Sequence, residues 1–190
     1  VYVEPSGPGF VSSRVWVTDS TPAKVKGVRE TVNCPPSLSP PPGGSVLRCI
    51  EFPPENNYIK NIGASDVAAF FAAMGSPDAS TAKNGAPHPY MQQTSSLDFC
   101  YVPEGAITLV LDTCEVDLHE GDAVIQRGAN HAWSNRSSKP ARVLISQHDG
   151  AWTGADEAGS GPSHPGTFDR GSRPLRRVLT GRDHEGRSCV

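Results

Sequence analysis

Apolar and polar residues alternate with a period of two through most of this chain. Segments 10–18, 46–52, 92–102, 106–111, 115–118, 123–126, 132–135 and 141–147 each read as a short strand. Glycine, proline, aspartate and asparagine gather between them, and the last six follow one another at hairpin spacing. The pattern predicts an all-β domain closed as a barrel or sandwich. One stretch departs from it. Residues 65–74 are rich in alanine and predict a helix, with Ser65 as its cap, Asp66 at the positive N-terminal end and Gly75 as its stop. This helix is expected to pack over the barrel, with a lid across its mouth as the second reading. Pro35, Pro36, Pro40, Pro41 and Pro42 make 33–44 an extended connection rather than sheet interior. Residues 153–174 read as a linker-like loop, and strand character resumes over 175–190.

Composition narrows the function classes. A chain of 190 residues suits one well-packed domain. The formal net charge of −3, with both signs scattered, gives no nucleic-acid footprint. The longest apolar run, 67–74, is too short to span a bilayer. The chain opens on Val1-Tyr2-Val3-Glu4 without the pattern of a secretory leader. Five cysteines, an odd number without Cys-x-x-Cys spacing, suggest reduced thiols and a cytoplasmic setting.

The densest chemical signal is Gly121-Asp122-Ala123-Val124-Ile125-Gln126-Arg127-Gly128-Ala129-Asn130-His131-Ala132-Trp133-Ser134-Asn135. Gly121-Asp122 suits a turn, Val124-Ile125 a short strand, and Arg127-Gly128 a second turn before the strand that carries His131. This order resembles the second sequence motif of the cupins, one residue short between glycine and histidine. The resemblance implies a double-stranded β-helix (jelly-roll) barrel. It also implies that a segment ending in glycine supplies the first motif, His-x-His followed by Glu. Counting back from Gly105 places Gln92 and Thr94 in the two histidine slots and Asp98 in the glutamate slot. Strand parity puts Gln92, Thr94, Ser96, Asp98 and Cys100 on one face, with Gln93, Leu97, Phe99 and Tyr101 on the other.

In cupins these four slots commonly hold one metal. Here they offer an amide, a hydroxyl, a carboxylate and an imidazole, a poor set for zinc or iron. No resident cofactor or metal is expected; weak binding of a divalent ion stays open, with His88 and His148 as histidines outside the motif spacing. Without a metal, Asp98 and His131 become the expected catalytic pair, the carboxylate fixing the imidazole tautomer and raising its basicity. Gln92, Thr94 and Gln126 are expected to orient a small-molecule substrate, with Val102 and Val124 among the apolar residues lining its pocket. Trp133 and Asn135 are expected to support the His131 strand. The alternative for Asp98 and His131 is a satisfied structural pair.

Small cupins of this appearance recur in secondary-metabolite pathways, often of polyketides, which implies a lyase, cyclase or isomerase. A non-catalytic ligand-binding cupin and a metal-dependent oxygenase are the competing classes. In such cupins a segment like 175–190 precedes the barrel, and Val190 joined to Val1 would read as one strand. The chain therefore divides into a barrel at 1–152, a linker at 153–174 with a permutation joint near 159–162, and a strand segment at 175–190 that completes the barrel. A single barrel with open sheet edges and an apolar face predicts a homodimer.

Overall fold

The structure is a computed structural model that describes residues 1–5, 7, 9–27, 31, 33–83, 85–152 and 175–190. Along the chain the strands are β1 (Tyr2–Val3), β2 (Val11–Thr18), β3 (Ser45–Phe52), β4 (Ser96–Glu104), β5 (Ala106–Leu111), β6 (Glu115–His119) and β7 (Ala123–Arg127). They continue with β8 (His131–Ser134), β9 (Ala141–Asp149), β10 (Arg177–Leu179), β11 (Gly181–Arg182) and β12 (Ser188–Cys189). One α-helix, α1 (Ala64–Ala73), lies between β3 and β4. The large sheet runs β1-β2-β3-β9-β4-β7-β10, the small sheet β6-β5-β8, and β11 pairs with β12.

The period-two pattern explains the arrangement. Along β4, Ser96, Asp98, Cys100 and Val102 are buried while Leu97, Phe99 and Tyr101 are exposed. Along β9 the buried positions are Ala141, Val143, Ile145 and Gln147. The buried faces of the two sheets share one core containing Val102, Leu109, Leu111, Leu118, Val124 and Val143. Each such aliphatic side chain contributes ~1.5–3 kcal/mol by leaving water.

Turns fix the register of the strand that precedes the site. Gly121 sits at φ +92°, open to glycine at little cost, and Asp122 follows it. The Asp122 carboxylate accepts the His119 N–H at 2.9 Å and an Arg176 N–H at 3.0 Å. It thereby ties the β6–β7 turn to the C-terminal segment. There β10 runs parallel to β7, with Val178 opposite Val124.

Helix α1 begins one residue earlier than its sequence suggests. Gly63, not Ser65, is the N-cap, and Asp66 reaches back to accept the Gly63 N–H at 2.8 Å. Gly75, at φ +59°, ends it. Its buried Val67, Phe70, Phe71 and Met74 pack with Tyr90, Ala79 and Phe10 in a second cluster beside the barrel core.

Tyr2–Val3 pairs with β2 at the edge of the large sheet, whereas Ser188–Cys189 pairs with β11. Each end has its own anchor. Glu4 is buried among Ser12, Arg14 and Arg48, while Ser188 donates its N–H to Asp112 at 2.8 Å. The linker 153–174 and the joint expected at 159–162 lie outside the described residues.

Candidate functional site

A cavity opens between the large sheet, β8 and α1. Its volume is about 80 Å³, room for several waters. Gln92, Thr94, Asp98, Gln126 and His131 all line it. Val102 and Val124, expected beside them, do not. Both have no exposure and belong to the core, because the cavity ends one inward position short of each, at Cys100 and Gln126. The residues given by the cupin-motif count thus share this cavity, whereas strand parity runs past its end.

Gln92 and Thr94 precede β4 rather than continuing it. Gln92 instead bridges directly to His131: its N–H donates to the His131 carbonyl at 2.8 Å, and its carbonyl accepts the His131 N–H at 2.9 Å. The two motifs are thus joined through backbone, at the residues that occupy a histidine slot in each. The Thr94 hydroxyl lies 2.8 Å from that of Ser96.

Asp98 and His131 do not hydrogen-bond each other among the described residues. The Nδ1 of His131 donates to the Ala129 carbonyl at 2.9 Å, which leaves Nε2 as an acceptor. Burial pushes the ring down to about 4, only partly offset by that carbonyl, so the imidazole is neutral at physiological pH. The expectation that Asp98 fixes its tautomer and raises its basicity is therefore corrected. A backbone carbonyl sets the tautomer, and desolvation lowers the basicity.

Asp98 is the group with a near-neutral pKa. Burial raises its carboxyl to about 6 against the lowering effects of Ser96, Gln147 and Arg48. Its Oδ2 accepts from Gln147 Nε2 at 3.4 Å, while Oδ1 is buried without a partner among the described residues. Register places Asp98 between two glutamines, Gln126 on β7 and Gln147 on β9. Among the described residues both polar side-chain atoms of Gln126 are also unpartnered, as is the Tyr90 hydroxyl. An unsatisfied buried polar group costs ~1–3 kcal/mol, so these atoms at one cavity need partners from whatever enters it.

Several wall residues were not anticipated. Arg48 lines the cavity, held by Glu4 at 2.9 Å and bonded to Gln147 and the Ser37 carbonyl. Glu4 also accepts from Arg14 at 2.8 Å and from Ser12 at 2.5 Å. Burial would raise Glu4, but the Arg48 charge and these bonds outweigh it and hold the carboxyl low. A chain of contacts thus runs from Glu4 through Arg48 and Gln147 to Asp98. Its signal in the sequence is polar side chains at inward parity, Arg48 between Val46 and Ile50, and Gln147 after Val143 and Ile145.

Phe10, Phe52, Tyr58, Phe70, Tyr90 and Trp133 supply an aromatic wall. Phe70 comes from α1 and Met74 is its C-cap, so the helix closes part of the cavity as well as packing beside the barrel. Burial pushes the Tyr58 and Tyr90 phenols up to about 12, with a smaller rise from Glu55 and Asp66 respectively. Trp133 reaches the wall itself, whereas Asn135 holds backbone, donating to the carbonyls of Phe52 at 2.7 Å and Lys139 at 2.8 Å.

His88 also lines the cavity, and its Nε2 has no hydrogen-bond partner among the described residues. Nδ1 accepts the Tyr90 N–H at 3.1 Å and Nε2 faces Glu55 at 3.4 Å. Burial lowers its pKa despite the opposing charge of Glu55. His148 lies on the outer face against Phe99, with ring centroids 5.1 Å apart. Among the described residues no three His, Cys, Asp or Glu side chains come together to hold a metal. The four motif slots, with one imidazole and one carboxylate, do not fit a transition-metal centre. All five cysteines are free thiols, and no helix among the described residues is long and apolar enough to cross a membrane.

Comparison with known proteins bears on the same residues. The cupin domain family matches residues 80–146. Two curated proteins of Diaporthe leptostromiformis, phomopsin biosynthesis cluster proteins C' and D, are each 30% identical over 128 residues, covering 64% of this chain and 51% of theirs. The chain thus spans about half the length of the curated relatives it matches. Among solved structures, it is similar to a Cupin 2 conserved barrel domain protein from Salinispora arenicola, at 13% identity and a TM-score of 0.40. That match covers 78% of this chain and 82% of the other. The Schizosaccharomyces pombe Cnp3 cupin domain matches at 6% identity and a TM-score of 0.38, over 78% and 69%. Asp98, Gln126 and His131, on β4, β7 and β8, and the bridging Gln92 all fall within the segment that matches this family.

Proposed function

We propose that this protein is a small-molecule-processing enzyme, a lyase, cyclase or isomerase, in which Asp98 moves a proton within the barrel cavity. The observation that carries the reading is the Asp98 carboxyl. It is buried in an aromatic-walled cavity, has a pKa near neutrality, and keeps one oxygen without a partner among the described residues. As carboxylate it takes a proton from carbon beside a substrate carbonyl; as the resulting acid it returns that proton to a departing hydroxyl, so that water leaves and a double bond forms. The same proton shuttle serves an isomerisation or a ring closure. Neutral His131 accepts a hydrogen bond from a substrate hydroxyl through Nε2, and Gln92, Thr94 and Gln126 orient its oxygens. The reading routes no step through a metal or cofactor.

Similarity to proteins of a phomopsin biosynthesis cluster supports a place in secondary metabolism. In this reading the chain pairs with a second copy through the outer face of the large sheet, where Leu97, Phe99, Tyr101 and Leu179 are exposed.

The test uses an extract of the source organism with this gene deleted, which retains the unconverted precursor. Purified wild-type protein is expected to consume one mass and produce another in chromatography coupled to mass spectrometry. A His131→Ala variant should convert at least tenfold more slowly. A variant that only binds the precursor more weakly, with neither protein producing a new mass, would make this a ligand-binding cupin.

A further inference from the structure

We infer that the cavity is built for an uncharged, planar ligand whose lactam pairs edge to edge with the side-chain amide of Gln126. The inference rests on reading the cavity as a small-molecule site, and it names the class of molecule.

Gln126 is 1% exposed and lines the cavity, and neither its Oε1 nor its Nε2 has a hydrogen-bond partner among the described residues. A primary amide presents an acceptor and a donor side by side in one plane. One molecule satisfies both at once only with a donor and an acceptor side by side on its own edge. The cis amide of a lactam has that edge, N–H beside C=O.

The alternatives fit less well. A carboxylic acid loses its donor on ionising at neutral pH, and would then lie near Asp98, the register partner of Gln126. Arg48, the guanidinium on the cavity wall, is already engaged by Glu4, Gln147 and the Ser37 carbonyl. The enol of a 1,3-dicarbonyl spends its O–H on its own second oxygen. Aromatic side chains from three separate parts of the chain, Phe10, Phe70 and Trp133, complete the wall and favour a flat ring. The unpartnered Asp98 Oδ1 and Tyr90 hydroxyl leave room for further polar groups on the same ligand.

The probes are 2-quinolone, which has the lactam edge, and N-methyl-2-quinolone, which keeps the carbonyl and ring but lacks the donor. Ligand-observed NMR titration of the purified full chain measures both. The expected result is at least tenfold tighter binding of 2-quinolone to the wild type. Gln126→Leu, and independently Gln126→Met, should abolish that preference without lowering the melting temperature, since an unpartnered amide is replaced by an apolar group of similar size. Equal affinity for the two probes, no binding of either, or an unchanged preference in both variants overturns the inference. These outcomes are read from binding alone. A wild-type protein that shows no lactam preference yet converts its precursor removes this inference and leaves the proposed catalysis. A preserved preference without conversion does the reverse.

Discussion

The His131 ring is held by the carbonyl of Ala129, two residues earlier, at 2.9 Å. This contact settles which nitrogen carries the proton and leaves Nε2 on the cavity side of the chemistry. Burial and this carbonyl govern the ring, whereas the Asp98 carboxyl is governed by burial and by Ser96, Gln147 and Arg48.

Two opposite pH dependences of stability follow. Burial raises Asp98 from an ordinary value near 3.8 to about 6, so the folded state binds its proton more tightly than the unfolded chain. Its stabilising share is present below pH 4 and is lost as pH rises through about 6. Burial lowers His131 from 6.5 to about 4, so its share is present above pH 6.5 and is lost as pH falls through about 4. Each amounts to about 3 kcal/mol, and between pH 4 and 6.5 they nearly cancel. Relative to wild type, Asp98→Asn should lose stability on acidification across that window, and His131→Gln should gain it. Urea unfolding at pH 4.5 and 7 measures both. Parallel pH curves for all three proteins would contradict the burial of these groups.

Glu4 compensates two buried arginines, Arg14 and Arg48, with essentially no exposure of its own side chain. Glu4→Gln should cost ~3–5 kcal/mol, since it leaves buried positive charge uncompensated. Thermal unfolding would show a drop of well over 5 °C, given the stability change expected per degree for a domain of this size. A change of only a degree or two would mean that the N-terminal segment is not seated on β2.

The outer face of the large sheet should be covered by a second copy of the chain. Phe99 is 45% exposed and Tyr101 41%, on alternate positions of one strand, with Leu97 beside them. Sedimentation is expected to give a dimer at micromolar concentration, and a Phe99→Glu, Tyr101→Lys double variant a folded monomer. A wild-type monomer would remove the proposed pairing.

The sequence made the sheet legible because β4 and β9 alternate strictly between core and solvent, and period two survives any tertiary context. Asp98, Gln92 and His131 were legible for a different reason: spacing from Gly105 and Gly121 fixes their places on known turns. The Asp98–His131 bond was expected from residue type alone, and failed because the nearer backbone carbonyl of Ala129 satisfies the ring. Val102 and Val124 were misplaced because parity assigns a face without saying where along it the cavity stops. The aromatic wall was hidden more deeply. Phe10, Phe70 and Tyr90 come from segments far apart in the chain, and only the packing of α1 against the N-terminal segment brings them together.

The most direct measurement of the central claim is the conversion rate of the precursor by Asp98→Asn in the deletion-strain extract. Chelator is present throughout, and folding is verified by near-UV circular dichroism. The account predicts a fall of about 10²–10⁴-fold, the usual contribution of a positioned proton-transfer group. It also predicts that the wild-type rate rises with pH through about 6, as the Asp98 carboxyl ionises. An Asp98→Asn protein that converts the precursor within a few-fold of wild type, or a wild-type activity abolished by the chelator alone, would contradict it.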